Sequence, residues 1–248
     1  MNDSSLISAD DVYGALLADA FAGKKAMEIV ERDDGYMLAY EAEYLLAPFR
    51  KWEDALERRA MRFVRGRVLD VGCGAGRVCL HLQQRGLEVI GIDSSAGAIE
   101  CCRLRGVRDA RLVAAETIDD SLGSFDTVVF LGQNFGMMRS RSHARHLLRR
   151  LAHLTTNRGR IVAENYDPHR AGDTAQRRYL ERNRVRGRMP GQLRVRIRYK
   201  EFSTPWIDWL QLSRVELTEL LEGTGWKLSR TLGDGPSYIA IIDRVSKS

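Results

Sequence analysis

The sequence lacks any long apolar run. No stretch approaches the roughly 18 consecutive apolar residues that mark a membrane-spanning helix. Residues 1–11 also lack the basic and apolar regions of a secretory signal peptide. Of the 248 residues, 44% are hydrophobic and 29% are charged, which fits a globular chain long enough for one large α/β domain. We therefore expect a cytoplasmic protein that does not associate with a membrane.

Cysteine is also scarce. The four cysteines lie close together in the sequence and show neither CxxC spacing nor a pairing with histidines. This pattern excludes a recognisable zinc site, and we expect no bound metal. It favours free thiols in a reducing compartment, packed as small apolar side chains, at Cys73, Cys79, Cys101 and Cys102.

Positive charge is concentrated in one part of the chain. The net charge is +6, but residues 139–200 contain 18 Lys and Arg against 4 Asp and Glu, so the remainder of the chain carries a net charge of −8. This asymmetry predicts a basic face. Such a face serves an anionic substrate or surface, or nucleic acid, or it is an arginine-rich surface exposed to water.

Short apolar runs alternate with helical patterns between residues 67 and 164. This alternation predicts parallel strands buried on both faces and joined by right-handed crossovers, which is a doubly wound, Rossmann-like α/β sheet. The predicted strands are 67–71, 87–92, 110–114, 125–131 and 159–164, and the predicted helices are 78–85, 98–105 and one from Ser142 to Leu154.

The C-terminal part resumes the pattern. Ser213 and Glu216 have the spacing of a capping box that opens a helix. Residues 226–232 and 238–245 are predicted to form two strands joined by a turn, which brings the mostly parallel sheet to seven strands.

A glycine-rich turn follows the first strand of the series. It reads Asp70-Val-Gly-Cys-Gly-Ala-Gly76 and precedes a helix. Glycines allow positive φ angles and a close approach of ligand to the main chain, and a helix N-terminus favours negative charge. The turn predicts a nucleotide-like ligand, although the glycines alone do not distinguish a dinucleotide from another such ligand.

Two side chains beside the turn distinguish a dinucleotide from another nucleotide-like ligand. The dinucleotide fingerprint requires Gly or Ala at its sixth position, which Arg77 occupies here. A carboxylate at Asp70 repels a pyrophosphate and suits a ligand that carries an ammonium and a sulfonium.

Acidic residues follow two further strands. Asp93 ends the second strand, where the two oxygens of a carboxylate can accept from both hydroxyls of a ribose. Ser94 comes next, and Ala115 and Glu116 follow the third strand. Ligands of open α/β sheets bind at the carboxyl ends of the strands, so we expect these residues at one site. An ordinary loop acid is the alternative for Glu116.

At these residues the sequence resembles the class I S-adenosylmethionine-dependent methyltransferases. Their Asp-x-Gly-x-Gly-x-Gly motif is present at 70–76, and their ribose-binding acid falls on Asp93. The resemblance covers about residues 65–165 and extends more loosely to Val245. It implies S-adenosylmethionine as cofactor and methyl transfer as activity. The predicted cofactor-binding residues are Asp70, Gly72, Cys73, Gly74, Gly76, Asp93, Ser94, Ala115, Glu116, Gln133 and Asn134.

Gln133 and Asn134 follow the fourth strand in Leu131-Gly-Gln-Asn-Phe-Gly136. They can hydrogen-bond the methionine end of the cofactor or an acceptor, or they form a polar turn without ligand contact. The Asn/Asp-Pro-Pro-aromatic motif of methyltransferases that act on exocyclic or amide nitrogens is absent. This departure weighs against nucleic-acid adenine or protein glutamine as the acceptor.

Methyl transfer from a sulfonium mainly requires alignment of the nucleophile and exclusion of water, and it needs a general base only when the acceptor arrives protonated. The candidate catalytic residues are His169, Tyr166 and Asn134, which follow the fourth and fifth strands. His169 titrates nearest to neutral pH, although a surface histidine without a catalytic role fits the same position.

Residues 1–65 and 167–212 lie outside the βαβ series. The first segment is predicted to be a helical cover, with helices at 12–22 and from Tyr36 to Val64, in front of a methyltransferase domain at 66–248. Tyr36, Tyr40 and Tyr44 then share one helix face, which either covers the cofactor pocket or packs against another helix.

The second segment is predicted to be a basic insertion on the substrate side. It contains a helix at 174–186, a turn at Pro190-Gly191 and a strand at 193–202. Alternation along that strand places three arginines on one face, where they hold an anion or face water. The candidate substrate-binding residues are Arg194, Arg196, Arg198, Trp206 and Tyr40.

We therefore expect a methyltransferase that acts on a small-molecule acceptor, and the basic segment suits an anionic one. A nucleic-acid methyltransferase is the first alternative, favoured by the basic segment but not by any recognisable RNA-binding module. A protein that binds the cofactor without transferring its methyl group is the second.

Overall fold

The computed structural model describes residues 11–170 and 173–245. Over these ranges the α-helices are α1 (Val12–Phe21), α2 (Ala55–Ala60), α3 (Arg77–Gln84), α4 (Ala96–Leu104), α5 (Arg141–His153), α6 (Thr174–Val185) and α7 (Arg214–Leu221). The strands are β1 (Met27–Arg32), β2 (Met37–Glu41), β3 (Val68–Val71), β4 (Val89–Asp93), β5 (Ala110–Leu112), β6 (Phe125–Phe130), β7 (Thr155–Tyr166), β8 (Gln192–Tyr199), β9 (Phe202–Ser203), β10 (Ile207–Leu210), β11 (Trp226–Leu232) and β12 (Ser237–Arg244). None of the helices in the described ranges is long and apolar enough to cross a membrane.

The larger sheet has seven strands in the order β11-β12-β7-β6-β3-β4-β5. β6 runs parallel to β7 and β4 runs parallel to β5, whereas β12 is antiparallel to both of its neighbours. This topology confirms the predicted seven-stranded, mostly parallel sheet. All four residues of β3 are buried, as are five consecutive residues of β7, which is the burial expected of strands covered on both faces.

A smaller sheet has the order β10-β8-β1-β2, and β9 pairs with β8. β1 lies antiparallel to both β2 and β8. The predicted helix from Tyr36 to Val64 is therefore wrong. Residues 36–41 enter a turn and a strand because the extended backbone of β1 supplies their hydrogen-bond partners. The i, i+4 spacing of Tyr36, Tyr40 and Tyr44 consequently does not place them on one helix face.

The other predicted elements agree closely with the structure. Helix α6, the 190–191 turn and strand β8 lie where the basic insertion was expected. Ser213 and Glu216 form both hydrogen bonds of a capping box. The start of α5 differs, because the Ser140 hydroxyl, and not that of Ser142, accepts from the amide of His143. Ser142 lies inside the first turn.

The chain forms two compact units, of which the first contains residues 11–53, 69–117 and 194–207. In this unit Leu17 of α1 packs with Ala75, Ala98 and Cys101, and Leu45 and Leu46 join them from a short 3-10 helix, Ala42–Leu46. The N-terminal segment is thus part of the same core as the glycine-rich turn and α4.

The second unit contains residues 54–68, 118–193 and 208–245. Two of its buried aromatic side chains donate hydrogen bonds to main-chain carbonyls. The Trp226 indole donates to Leu148 over 2.8 Å, and the Tyr238 hydroxyl donates to Leu212 over the same distance. Both bonds satisfy a polar group that is buried in an apolar surrounding.

Candidate cofactor site

The glycine-rich turn leaves β3 with backbone angles that favour glycine. Gly74 has φ +53° and Gly76 has φ +76°. A Cβ atom on Gly76 would lie 2.5 Å from the Val107 side chain, so this position accepts no larger residue without movement. The positive φ angles predicted for the turn are confirmed, and the close approach of a ligand to its main chain stays a prediction.

The main-chain amides of the turn point at acceptors within the protein. The amides of Gly72 and Cys73 donate to the Ile92 carbonyl over 2.9 and 3.0 Å, and the Gly76 amide donates to the Cys73 carbonyl. A pyrophosphate cradle requires such amides to face the ligand. The turn therefore differs from a dinucleotide loop in its hydrogen bonding as well as in its sequence.

Asp93 ends β4 and its carboxylate is held on both oxygens. Oδ2 accepts from the Gly74 amide and Oδ1 from the Ser95 amide, each over 2.9 Å. Burial raises the pKa of Asp93, and the hydrogen bonds from the two amides oppose that rise. Each oxygen keeps a further lone pair, so the fixed carboxylate can still accept from a diol.

Asp70 lies within β3 and is almost fully buried, at 2% exposure. The Cys79 thiol lies 3.3 Å from its Oδ2 atom. The side chain of Cys73 also points inward, with its sulfur 3.8 Å from that of Cys102. Burial contributes to raising the pKa of Cys79 to about 12, so this thiol stays protonated beside the Asp70 carboxylate. The four cysteines are free and buried.

The remaining predicted residues of this unit follow the strands as expected. Ser94 is exposed directly after β4, while Ala115 and Glu116 lie half-buried in a one-turn 3-10 helix after β5. Their contact with a cofactor stays a prediction. Ser95 was missed by the sequence reasoning. It caps α4, and its hydroxyl donates to the Asp11 carboxylate over 2.9 Å.

Tyr13 of the N-terminal segment contacts the glycine-rich turn, and Tyr44 and Glu28 of the same segment contact each other. The Tyr13 hydroxyl lies 3.4 Å from the position that a Cβ atom on Gly74 would take. The Tyr44 hydroxyl donates to the Glu28 carboxylate over 3.2 Å. Tyr13 was also missed, because nothing in its local sequence links it to a turn about sixty residues away.

Arg77 opens α3 and packs over the Trp52 ring, with its guanidinium carbon 4.5 Å from the ring centre. On the next turn of this helix, His81 stacks on Phe49 at 3.7 Å. The side chain that breaks the dinucleotide fingerprint is thus held by the N-terminal segment.

In the second unit, carboxylates hold the turn after β6. The Gln133 amide donates to Glu164 over 3.0 Å, and the Gly132 amide donates to Glu57 over 3.3 Å. Gln133 has a positive φ of 60°, which is uncommon for a residue with a side chain. The backbone position of Gln133 and Asn134 is therefore fixed, and their contact with a ligand stays a prediction. Glu57 was missed by the sequence reasoning.

The catalytic candidates after β7 are tied to other parts of the second unit. The His169 ring lies 3.2 Å from Glu216 through Nε2 and 3.4 Å from Arg184 through Nδ1. Tyr166 is the last residue of β7. Both ring nitrogens of His169 thus have protein partners, and a role as base stays a prediction.

The arginines of β8 lie on one face, as their alternation predicts. Arg196 and Arg198 both donate to the Glu31 carboxylate of β1, at 2.8 and 3.1 Å. Arg196 also packs over Trp206 at 4.6 Å, whereas Arg194 is exposed. Part of the charge predicted to hold an anion is therefore neutralised within the protein. Tyr40 is exposed and contacts Tyr44, edge to face at 6.5 Å.

Comparison with known proteins finds similarity to methyltransferases. The model of a family described as "Methyltransferase domain" matches residues 68–159. A ubiquinone biosynthesis O-methyltransferase of Mesorhizobium japonicum is 29% identical over 50% of this chain and 51% of its own length. The corresponding protein of Brucella ovis is 35% identical over 37% and 38%. The chain thus spans about half the length of these curated relatives, or less.

A solved structure matches over nearly the full length. The S-adenosylmethionine-dependent methyltransferase of Bacteroides fragilis, in complex with S-adenosylhomocysteine, has a TM-score of 0.80 and 27% identity, and the match covers 97% of this chain and 98% of that one. The seven-stranded sheet and its glycine-rich turn define a Rossmann-like methyltransferase fold. Residues 68–159 thus match a methyltransferase-domain family, and nearly the whole chain is similar to a solved S-adenosylmethionine-dependent methyltransferase.

Proposed function

We propose that this chain is an S-adenosylmethionine-dependent methyltransferase that acts on a small-molecule acceptor. The carboxylate of Asp93, fixed by the amides of Gly74 and Ser95 at the end of β4, carries this proposal. It presents an anionic acceptor for a ribose diol next to a turn whose own amides are already bonded. That arrangement suits a cofactor without phosphates.

Different residues of the first unit have different roles in binding such a cofactor. Asp93 orients the ribose. Asp70, buried beneath the turn, contributes negative charge that favours a cationic ligand over an anionic one. Tyr13 limits access to the main chain at Gly74. The cofactor, when bound, supplies an activated methyl group for in-line displacement, so the protein mainly positions the acceptor and excludes water.

The names of the relatives support a small-molecule acceptor, since those proteins are O-methyltransferases of ubiquinone biosynthesis. The sequence match covers about half of their length or less, so we carry over no particular acceptor. Two arginines of the basic segment form ion pairs within the protein: Arg188 with Asp208, and Arg160 with Asp243. These pairs argue against a large surface for nucleic acid, because they neutralise charge that would otherwise bind phosphates. The four buried free thiols support the expected reducing, cytoplasmic compartment.

Transfer of labelled methyl groups tests this function. The protein is incubated with S-adenosylmethionine labelled in its methyl group and an extract of small molecules and RNA, and the fractions are then separated. Label in the small-molecule fraction is the expected result, and it should disappear for Asp93→Ala. Label in RNA would favour the nucleic-acid alternative, and binding of the cofactor without any label transfer would favour a non-catalytic role.

A further inference from the structure

Glu28 of β1 is a buried carboxyl group that the proposed mechanism does not use. Its residue exposure is 8%, and the Tyr44 hydroxyl donates to it over 3.2 Å. Within the described part of the chain no lysine, arginine or histidine forms an ion pair with it. Burial raises the pKa of Glu28, whereas the hydrogen bond from Tyr44 lowers it.

The 3-10 helix that carries Tyr44, Ala42–Leu46, adjoins the glycine-rich turn, because its Leu45 and Leu46 pack against the cluster that contains Ala75. The hydroxyl of Tyr13, which sits at Gly74, is influenced electrostatically by Glu28, Tyr44, Asp93 and Arg77. Burial and the negative charges raise the pKa of Tyr13, and Arg77 lowers it. Asp93 thus reaches Gly74 from the end of β4, and Tyr13 covers the same glycine from the N-terminal segment that carries Glu28.

A buried carboxylate without a cation is costly, since its desolvation penalty is several kcal/mol in proteins. S-adenosylmethionine, the ligand proposed for this turn, carries two positive charges in its methionine part, one on the ammonium and one on the sulfonium. A bound cation would compensate the carboxylate that the ligand-free protein leaves unpaired.

We propose that Glu28, oriented by Tyr44, binds a positively charged group in the methionine part of the cofactor. This inference rests on the proposed function. It assigns to the N-terminal segment a charged contact with the cofactor, in addition to the ribose contact proposed for Asp93. The Tyr44 hydroxyl fixes one carboxylate oxygen, and the other oxygen is left for the ligand.

Three probes that carry two, one and no positive groups in place of the methionine part test the inference by calorimetry. S-adenosylmethionine carries ammonium and sulfonium, S-adenosylhomocysteine carries the ammonium alone, and methylthioadenosine carries neither. Glu28→Gln keeps the shape and removes the charge. We expect it to weaken S-adenosylmethionine binding by about 10- to 100-fold, as for a lost charge-assisted hydrogen bond, and to leave methylthioadenosine unaffected.

S-adenosylhomocysteine identifies the cation. If its affinity falls as much as that of S-adenosylmethionine, Glu28 binds the ammonium; if its affinity is unchanged, Glu28 binds the sulfonium. Glu28→Asp retains the charge and should restore part of the affinity. Glu201→Gln, which removes an exposed carboxylate from the turn after β8, is the matched control and should bind all three probes as the wild type does.

An equal loss of affinity for all three probes would show that Glu28 acts through the fold, and this would overturn the inference, as would no loss for any of them. In both cases wild-type binding of S-adenosylmethionine would leave the proposed function intact. If the wild type binds none of the probes, the proposed function fails and the inference fails with it.

Discussion

Gly14 of α1 and Gly97 of α4 approach each other so closely that a Cβ atom on Gly14 would lie 2.8 Å from the Cα atom of Gly97. The Asp11 carboxylate reinforces this contact, because it accepts from the amides of both glycines, at 2.9 and 2.8 Å. The helix that carries Tyr13 is therefore fixed against the helix that follows Asp93.

Gly97→Ala should destabilise the protein by about 1–3 kcal/mol, the usual cost of forcing an extra methyl group into a packed contact. The added Cβ would lie 2.7 Å from the Gly14 Cα. Urea unfolding measures the change. Gly235→Ala is the control, because a Cβ at Gly235 meets no atom within 4 Å. Equal stabilities of the two variants would contradict a tight contact between α1 and α4.

Asp93→Asn should weaken S-adenosylhomocysteine binding by about 2 kcal/mol, or roughly 30-fold. The amide nitrogen of Asn replaces one acceptor with a donor, and it would then face the Gly74 or the Ser95 amide. Titration calorimetry gives the affinity. Asp109→Asn removes a half-exposed carboxylate elsewhere in the first unit and should bind normally. An unaltered affinity of Asp93→Asn would exclude the ribose contact.

Glu28→Gln should stabilise the ligand-free protein at neutral pH by about 1 kcal/mol, the scale of a single favourable substitution. Because burial raises the pKa of Glu28 in the folded state, ionisation is harder in the folded than in the unfolded protein. Wild-type stability should therefore fall as the pH rises above the ordinary glutamate pKa of about 4.3. Thermal unfolding from pH 4 to pH 8 should show the two proteins diverging with rising pH, and parallel curves would rule the effect out.

Asp19→Asn should destabilise the protein at pH 7 by about 3 kcal/mol, as expected when a buried ion pair loses one partner. Burial acts to raise the pKa of Asp19, but hydrogen bonds from Lys200, Lys24 and Tyr199 outweigh it and hold the pKa well below its ordinary value. A depressed pKa gives stability that is present above the unfolded value of about 3.9 and is lost at lower pH.

The difference between wild type and Asp19→Asn should accordingly shrink as urea unfolding is repeated at successively lower pH below about 4. Lys200→Met provides the comparison. It should cost less than Asp19→Asn, since Lys24 and Tyr199 remain bonded to the carboxylate. A difference that does not depend on pH would assign the effect to packing.

The sequence predicted the larger sheet well because its signals are local. Buried apolar runs, glycines at turns and the Ser213–Glu216 capping box each act within a few residues. The acids at the strand ends could be placed for the same reason, since the topology of a parallel sheet brings the carboxyl ends of its strands to one edge. Asp93 accordingly meets the turn that was predicted to adjoin it.

The N-terminal strands could not be predicted because their determinant is distant. β1 pairs with β8, whose residues lie more than 150 positions later, and every residue of β2 is exposed, so no alternation of burial marks that strand. The contact of Tyr13 with Gly74 depends on the packing of α1, and it was missed for the same reason. Glu31, which forms ion pairs with both Arg196 and Arg198, likewise lies on another strand of the smaller sheet.

The burial of all four thiols makes the chain convenient for site-specific spectroscopy. Each native cysteine is at most 6% exposed, so maleimide reagents should reach none of them in the folded protein. A single cysteine at Val185, whose exposure is 81%, would then carry a fluorophore or spin label alone. Movements of the basic insertion could be followed during turnover without first removing the native sulfurs that support the glycine-rich turn.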